Sequence, residues 1–273
     1  MERVSIVVPT FNQAKYLPIC LDSIWFQEYD DLEIIVVNDG SSDNTAEVLA
    51  QYEAAIAGDT TSYASNYDAA TETVERTQQQ RYATAGRRLV VRTHERNRGL
   101  SEALNTGLTA VTAPLCTFIA SDDMLLPGMI RELRAALYAK NADFAYADMH
   151  IVDDTGRIVR KFVLPDYTFP ACFCHWYFCG IAKLYKYELH QRFGLYDPAY
   201  TVQDHELFLR FAMGGATFTH VPRVLANVRD HGSGRKVDNH SQDGMRRLYR
   251  ESAQLVATAR AFWSEKSGRP TRD

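Results

Sequence analysis

Hydrophobic and polar positions alternate in a regular rhythm through the first half of the chain. Residues 4–8 (VSIVV) are wholly apolar and stop at Pro9, which predicts a buried strand. Tyr16, Cys20 and Ile24 then recur at helical spacing, with Leu17, Leu21 and Trp25 beside them. A second apolar run, LEIIVV at 32–37, ends in NDGSSDNT, a loop of turn and N-cap residues, and a helix is expected from Thr45 to about Ala55. RLVVRT at 88–93 predicts a third strand. Leu100, Ala103, Leu104, Gly107, Leu108 and Val111 form a helical stripe, and LCTFIA predicts a fourth strand that ends at Ser121-Asp122-Asp123.

Strand–helix–strand repetition implies an α/β fold, a mostly parallel sheet with helices on both faces. Ligands of such sheets bind beyond the carboxyl ends of the strands. Three polar clusters fall there: PTFN, NDGSSD and SDD.

The second half is less regular. DFAYADMHIV, DDTG and RIVRKFVL predict a strand, a turn and a returning strand. An aromatic segment, FPACFCHWYFCG, follows. After it come a helix from about 204 to 213, a short strand through FTHVP into VLANV, the basic loop RDHGSGRK, and a C-terminal helix near 243–263. Residues 58–87 are polar and weakly patterned. They are expected to form an insertion, partly helical between Ala69 and Tyr82. The organisation expected is thus a domain over 1–236 carrying this insertion, with a helical segment over 237–273 packed on it.

Composition adds exclusions. Hydrophobic content is 46% and charged content 23%, as in ordinary globular chains. The net charge of −4 gives no global electrostatic case for nucleic acid. Five cysteines in so long a chain argue against a secreted disulfide scaffold. Cys172, Cys174 and Cys179 surround His175, but their spacing is not a standard zinc pattern, and small apolar fillers are the favoured reading. MERVSIVVPT shows no apolar signal-peptide region, and no run of about 18 apolar residues predicts a membrane span. A cytoplasmic location is expected, with peripheral membrane contact left open.

VSIVVPTFNQAKYLPICLDSI, IIVVNDGSSDNT, NRGLSEALNTGL, FIASDDMLLPG and QDHELFLR, in that order, resemble family 2 glycosyltransferases of GT-A, Rossmann-like fold, over about residues 4–236 outside the insertion. The resemblance implies inverting transfer of a sugar from a nucleotide-diphosphate sugar to a saccharide or lipid-linked acceptor, with Mn²⁺ or Mg²⁺ as cofactor. A UDP-sugar is the default donor, and surface polysaccharide or glycoconjugate synthesis is the setting the family suggests.

By the same resemblance Pro9, Thr10 and Asn12 line the nucleobase. Gln13 stands where an acid is usual. Asp39 accepts from base or ribose, with Asn38 replacing the family's first acid; capping of the next helix is its alternative role, one that suits Asp43 better. Arg98 stacks on the base or meets a phosphate, or else is a solvated surface residue. SDD aligns with Asp-x-Asp-Asp, which puts Ala120 at the first acid, Asp122 at the direct metal ligand and Asp123 at its support or at a helix cap. Such a metal takes few carboxylates and stabilises the leaving diphosphate. His231, in the Arg-x-His of the late loop, completes the metal shell or touches the diphosphate, or else is incidental in an exposed loop, and Arg235 and Lys236 close over phosphates. Asp204 inherits the role of general base from an acidic pair that reads Gln203-Asp204 here, with Glu206 as fallback and a simple N-cap as the alternative. Trp176 stacks on sugar or fills core. Ala120 and Gln203 favour a second class, a catalytically impaired nucleotide-sugar-binding module. A metal-dependent phosphate hydrolase or nucleotidyltransferase is disfavoured because no glycine-rich phosphate loop is present.

Overall fold

The computed structural model describes residues 2–230 and 242–268. Strand β1 (Val4–Thr10) pairs in parallel with β2 (Leu32–Asn38) and with β6 (Leu115–Phe118), and β2 pairs in parallel with β5 (Arg87–Thr93). The crossovers are α1 (Leu17–Trp25), α2 (Thr45–Gly58) and α3 (Leu100–Thr109). This half is the parallel α/β unit that the apolar runs predict.

Past β6 the sheet becomes mixed. Strands β10 (Lys183–Lys186), β8 (Phe144–Val152), β11 (Phe218–Arg229) and β7 (Met124–Leu125) continue it, and β9 (Ile158–Phe162) pairs off β8. β10 is antiparallel to both β6 and β8, whereas β11 runs parallel to β8. The strand, turn and strand expected from DFAYADMHIV onward are β8 and β9. The strand expected to be short near 218 runs the full length of β11.

Period-2 alternation sorts β1 between two cores. Val4, Ile6 and Val8 join α1, with Leu17, Leu21 and Ile24, and α4 (Met129–Ala139), with Met129 and Leu133. Val7 faces the other way, toward Leu104 and Leu108 of α3 and, further along that core, Phe208 of α7 (Gln203–Met213). Ser5, also on that second face, would be a polar defect, but its hydroxyl donates to the buried Glu33 carboxylate. Glu33 also accepts from Arg88 and from the Thr112 amide at 3.0 Å, so the charge inside the sheet is fully answered.

Residues 58–87 correct the expectation of partial helix. They form a two-stranded hairpin, β3 (Thr60–Asp68) and β4 (Thr73–Gln80), separate from the main sheet. The physical reason lies in its cross-strand register, with Tyr67 opposite Val74, a pair that suits an extended ribbon. Asp68 closes the turn by accepting the Ala70 amide at 2.8 Å. The base is fixed by buried Tyr82, which contacts Trp25, Phe26 and Tyr52 and donates to Asp22 at 3.0 Å.

α5 (Phe169–Phe173) and α6 (Glu188–Phe193) complete the second core, and α8 (Gln242–Ser267) packs on α5 and α7. Leu255 and Ala259 of α8 enter that core, and Trp263 stacks on Phe169. No helix among the described residues is long and apolar enough to cross a membrane.

Candidate functional site

The register of the parallel strands builds the site. Thr10 lies level with Asn38, and Asn38 with Thr93, so the loops after β1, β2 and β5 leave the sheet at one height. The segment after β6 joins them, because Phe118 pairs with Val7. These loops enclose a cleft of about 720 Å³ lined by Pro9, Thr10, Asn12, Asp39, Arg98 and Asp122, among others. Six of the residues expected to bind donor or metal are thereby brought together.

Asn12 adopts φ 52 and latches two loops, its side-chain oxygen accepting the Ser42 amide at 2.8 Å and the Asp43 amide at 3.3 Å. Thr10 is 3% exposed, yet its Oγ1 makes no hydrogen bond among the described residues, and neither does Gln13 Oε1. Buried polar atoms of this kind at a cleft wall are unusual in a folded protein and suit a polar ligand.

Asp39 is more committed than the sequence indicates. It is 3% exposed and accepts the Arg98 amide and the Gly99 amide, both at 2.9 Å, and His94 Nδ1 at 2.7 Å. His94 Nε2 meets Thr106 Oγ1 at 2.9 Å. The carboxylate therefore ties the start of α3, one helix later than the capping alternative supposed. With about four acceptor positions on a carboxylate, one is left for a ligand. Asp43 does cap α2, accepting the Thr45 amide at 3.0 Å. Gly40 between them has φ 67, and a Cβ there would lie 2.3 Å from the Arg96 backbone, so the turn requires glycine. The Arg98 guanidinium is half-exposed and pairs with Glu102 at 2.7 Å on the same helix face.

At the acid pair the two carboxylates differ. Asp122 is half-buried and lines the cleft. Asp123 is 3% exposed and accepts the Arg229 amide at 2.8 Å. Arg229 is the residue that sequence reading missed. Its Nε donates to the Asp122 carbonyl at 3.1 Å, its Nη1 donates to the Asp153 and Asp154 carbonyls at 3.1 and 2.9 Å, and it lies over the Tyr16 ring. One buried guanidinium thus fixes the turn that carries both acids. Its place in Arg-x-His before His231 is the signal available in the sequence. His231, Arg235 and Lys236 lie outside the described residues.

Asp204 is the second residue of α7, reached from Tyr200 and Thr201 in the cleft wall. Burial pushes the hydroxyls of Tyr177, Tyr185 and Tyr196 well above the usual tyrosine range, and the Asp204 charge adds to the shift in all three. All three rings thus lie within electrostatic reach of the carboxylate. Glu206, the fallback base, is held in a bidentate pair with Arg210 at 2.8 and 2.7 Å. Trp176 does not line the cleft. It is half-buried near His205 of α7 and Tyr249 of α8, with ring centroids 6.4 and 6.1 Å away. Cys172, Cys174 and Cys179 are buried free thiols, as the filler reading expects, and His175 is exposed.

α8 supports the site from a distance. Glu251 accepts the amides of Thr201 and Val202 at 2.7 and 3.2 Å at the start of α7, where the N-cap residue Val202 provides no side-chain cap. Burial opposes the charge, but hydrogen bonds from Arg247, Thr201 and Val202 more than offset it and hold the carboxyl below its ordinary range. A depressed folded value contributes stability above the unfolded pKa of about 4.3 that is lost as pH falls through the folded value. Glu251→Gln is expected to cost about 1 kcal/mol at neutral pH. Urea titrations should show the gap from the parent chain closing below about pH 4; a gap that persists there would assign the effect to packing.

Among the described residues, no group of three or more His, Cys, Asp or Glu could enclose a metal by itself. The donor set still fits Mg²⁺ or Mn²⁺ held in part by substrate, since such ions take one or two carboxylates plus phosphates and water.

The family model described as Glycosyl transferase family 2 matches residues 5–62 and 68–204. Glycosyltransferase GlyA of Streptococcus pneumoniae serotype 4 is 27% identical over 165 residues, which are 60% of this chain and 19% of GlyA. This chain therefore spans about a fifth of that relative. The crystal structure of S. aureus TarS 1-349 in complex with UDP-GlcNAc superposes with a TM-score of 0.67 at 18% identity, covering 94% of this chain and 66% of that one. Mannosyltransferase PcManGT from Pyrobaculum calidifontis, in complex with GDP-Man and Mn²⁺, gives 0.58 at 16% identity, covering 99% and 76%. These structural likenesses establish the fold, a mixed α/β sheet of GT-A type.

Proposed function

Since the chain belongs to glycosyl transferase family 2, we propose that it transfers a sugar from a nucleotide-diphosphate sugar, with a UDP-sugar favoured, to an acceptor hydroxyl with inversion. The observation that carries this reading is the cleft in which the ends of β1, β2 and β6 and the start of α3 meet, with the N-terminus of α7 near its rim.

The nucleobase and ribose lie along Pro9, Thr10, Asn12 and Asp39. Thr10 Oγ1 is a ready partner there, and Asp39 has room for one more donor beyond His94 and the two amides. Arg98 borders the same space and exchanges Glu102 for base or phosphate. Asp122 holds the divalent cation, with Asp123 and Arg229 fixing its backbone and His231 as a further ligand. When bound, that cation neutralises charge developing on the departing diphosphate.

Asp204 takes the proton of the attacking acceptor hydroxyl on the face opposite the leaving group. The positive end of α7 favours its carboxylate form. Trp176, off the donor cleft but beside α7 and α8, belongs to the acceptor side, where a saccharide or lipid-linked acceptor enters. The family setting is surface polysaccharide or glycoconjugate synthesis at the cytoplasmic side of a membrane. Ala120 and Gln203, two departures from the family's acids, support the alternative of a donor-binding module without turnover.

A thermal-shift screen of UDP-, GDP- and dTDP-sugars, each with and without Mn²⁺, tests the donor assignment. One donor at a hundredfold excess over its Kd should stabilise by about 2.7 kcal/mol, and only with the metal present. Equal melting in every condition would overturn it.

A further inference from the structure

Lys183 stands in the middle of the sheet on β10, paired with Tyr146 across the ladder. It is 0% exposed, and no hydrogen bond to its Nζ exists among the described residues. A buried ammonium without a paired anion is costly, and an apolar side chain of the same volume would relieve that cost. Packing alone therefore gives no reason for lysine here.

Its surroundings give one. The ammonium lies 3.5 Å from the centroid of the Phe118 ring and 5.6 Å from that of Phe208. Phe118 ends β6, four residues before Asp122. Phe208 sits one turn after Asp204 on α7. The cation is thus wedged between the strand end that carries the acid pair and the helix start that carries Asp204. Burial lowers its pKa to about 8 in spite of the charges of Asp204 and Asp123, which pull the other way. Tyr196, packed edge-on against the same Phe118 ring, also has a buried hydroxyl without a hydrogen bond among the described residues. Ring faces compensate an ammonium only in part.

We propose that Lys183 is a positioning residue for the transfer step, a resident cation that fixes the charge and the aim of the Asp204 carboxylate. The inference rests on the reading of Asp204 as the base. Burial holds Tyr177, Tyr185 and Tyr196 neutral near Asp204, and the Lys183 ammonium is a cation that feels its charge. His205, next in sequence, is held neutral because burial lowers it to about 4.

The test is Lys183→Met, of similar length and without charge. Removing a nearby cation raises the pKa of a carboxylate, so the acid limb of the kcat–pH profile should move up by about one pH unit. Donor affinity by calorimetry should be unchanged. A folded variant with the parent acid limb overturns the proposal. Lys183→Gln provides the same readout if the methionine variant does not fold, and loss of folding in both would make Lys183 structural and overturn it as well. Asp204→Asn, assayed alongside, separates the two readings. Parent-level turnover in that variant removes Asp204 as base. An inactive Asp204→Asn beside an unmoved acid limb in Lys183→Met removes only the role of Lys183.

Discussion

Asp204→Asn is expected to lower kcat by about 10²–10⁴-fold, the range lost with a general base, while donor affinity stays at the parent level. Asparagine keeps the volume and still serves as a helix N-terminal residue, so α7 and its cap by Glu251 remain. What is lost is the ability to accept a proton. Among the described residues named beside it, none is placed to substitute. Glu206 is locked to Arg210, which is itself tied to the Phe193 and Leu195 carbonyls. His205 is a weak base at about 4 and stacks on Tyr177 inside the core. The tyrosines around Asp204 are held neutral by burial. Steady-state turnover together with calorimetric donor binding is the measurement. Parent-level kcat would take Asp204 out of the reaction. Donor binding with no turnover in the parent chain itself would favour the impaired-module reading.

Asp122→Ala should weaken donor binding in Mn²⁺ by at least about tenfold, which is about 1.4 kcal/mol. The argument is the difference between the two acids. Asp123 is spent on the Arg229 amide and holds the turn, whereas Asp122 borders the cleft. With Ala120 in place of the family's first acid, Asp122 carries more of the interaction than it would in a richer donor set. Asp123→Ala makes the contrast. It should lower the melting temperature first, because it removes the carboxylate that receives a buried amide. Equal donor affinity in Mn²⁺ for Asp122→Ala and the parent chain would refute the metal assignment.

Much of the fold is legible because its information is local. Apolar runs ending in Pro9, in NDG and in SDD predict parallel strands, and the stripe from Leu100 to Leu108 predicts the helix that covers one face. Three of those ends then meet by the rule that places ligands beyond parallel strands. The hairpin at 60–80 was not legible. Its Thr, Gln and Ala residues carry no clear period, and the pairing between β3 and β4 overrides what weak helical pattern exists. Trp176 could not be assigned either, since an aromatic side chain suits a core as well as a sugar.

The sequence by itself determined the order of strands and helices in the first half outside the hairpin, the family, and which loops carry the acids. Each follows from spacing within a dozen residues or so, the range over which backbone periodicity and turn chemistry act. Only the tertiary structure decided what each polar side chain does. Asp39 serves loop 94–99, some 55 to 60 positions away. Arg229 grips a turn 107 positions away. Glu251 caps a helix 50 positions upstream. Lys183 is left among rings between two acids. These roles are set by which partners a buried charge finds in three dimensions, and burial raises the cost of leaving one unpaired far above anything a local pattern records.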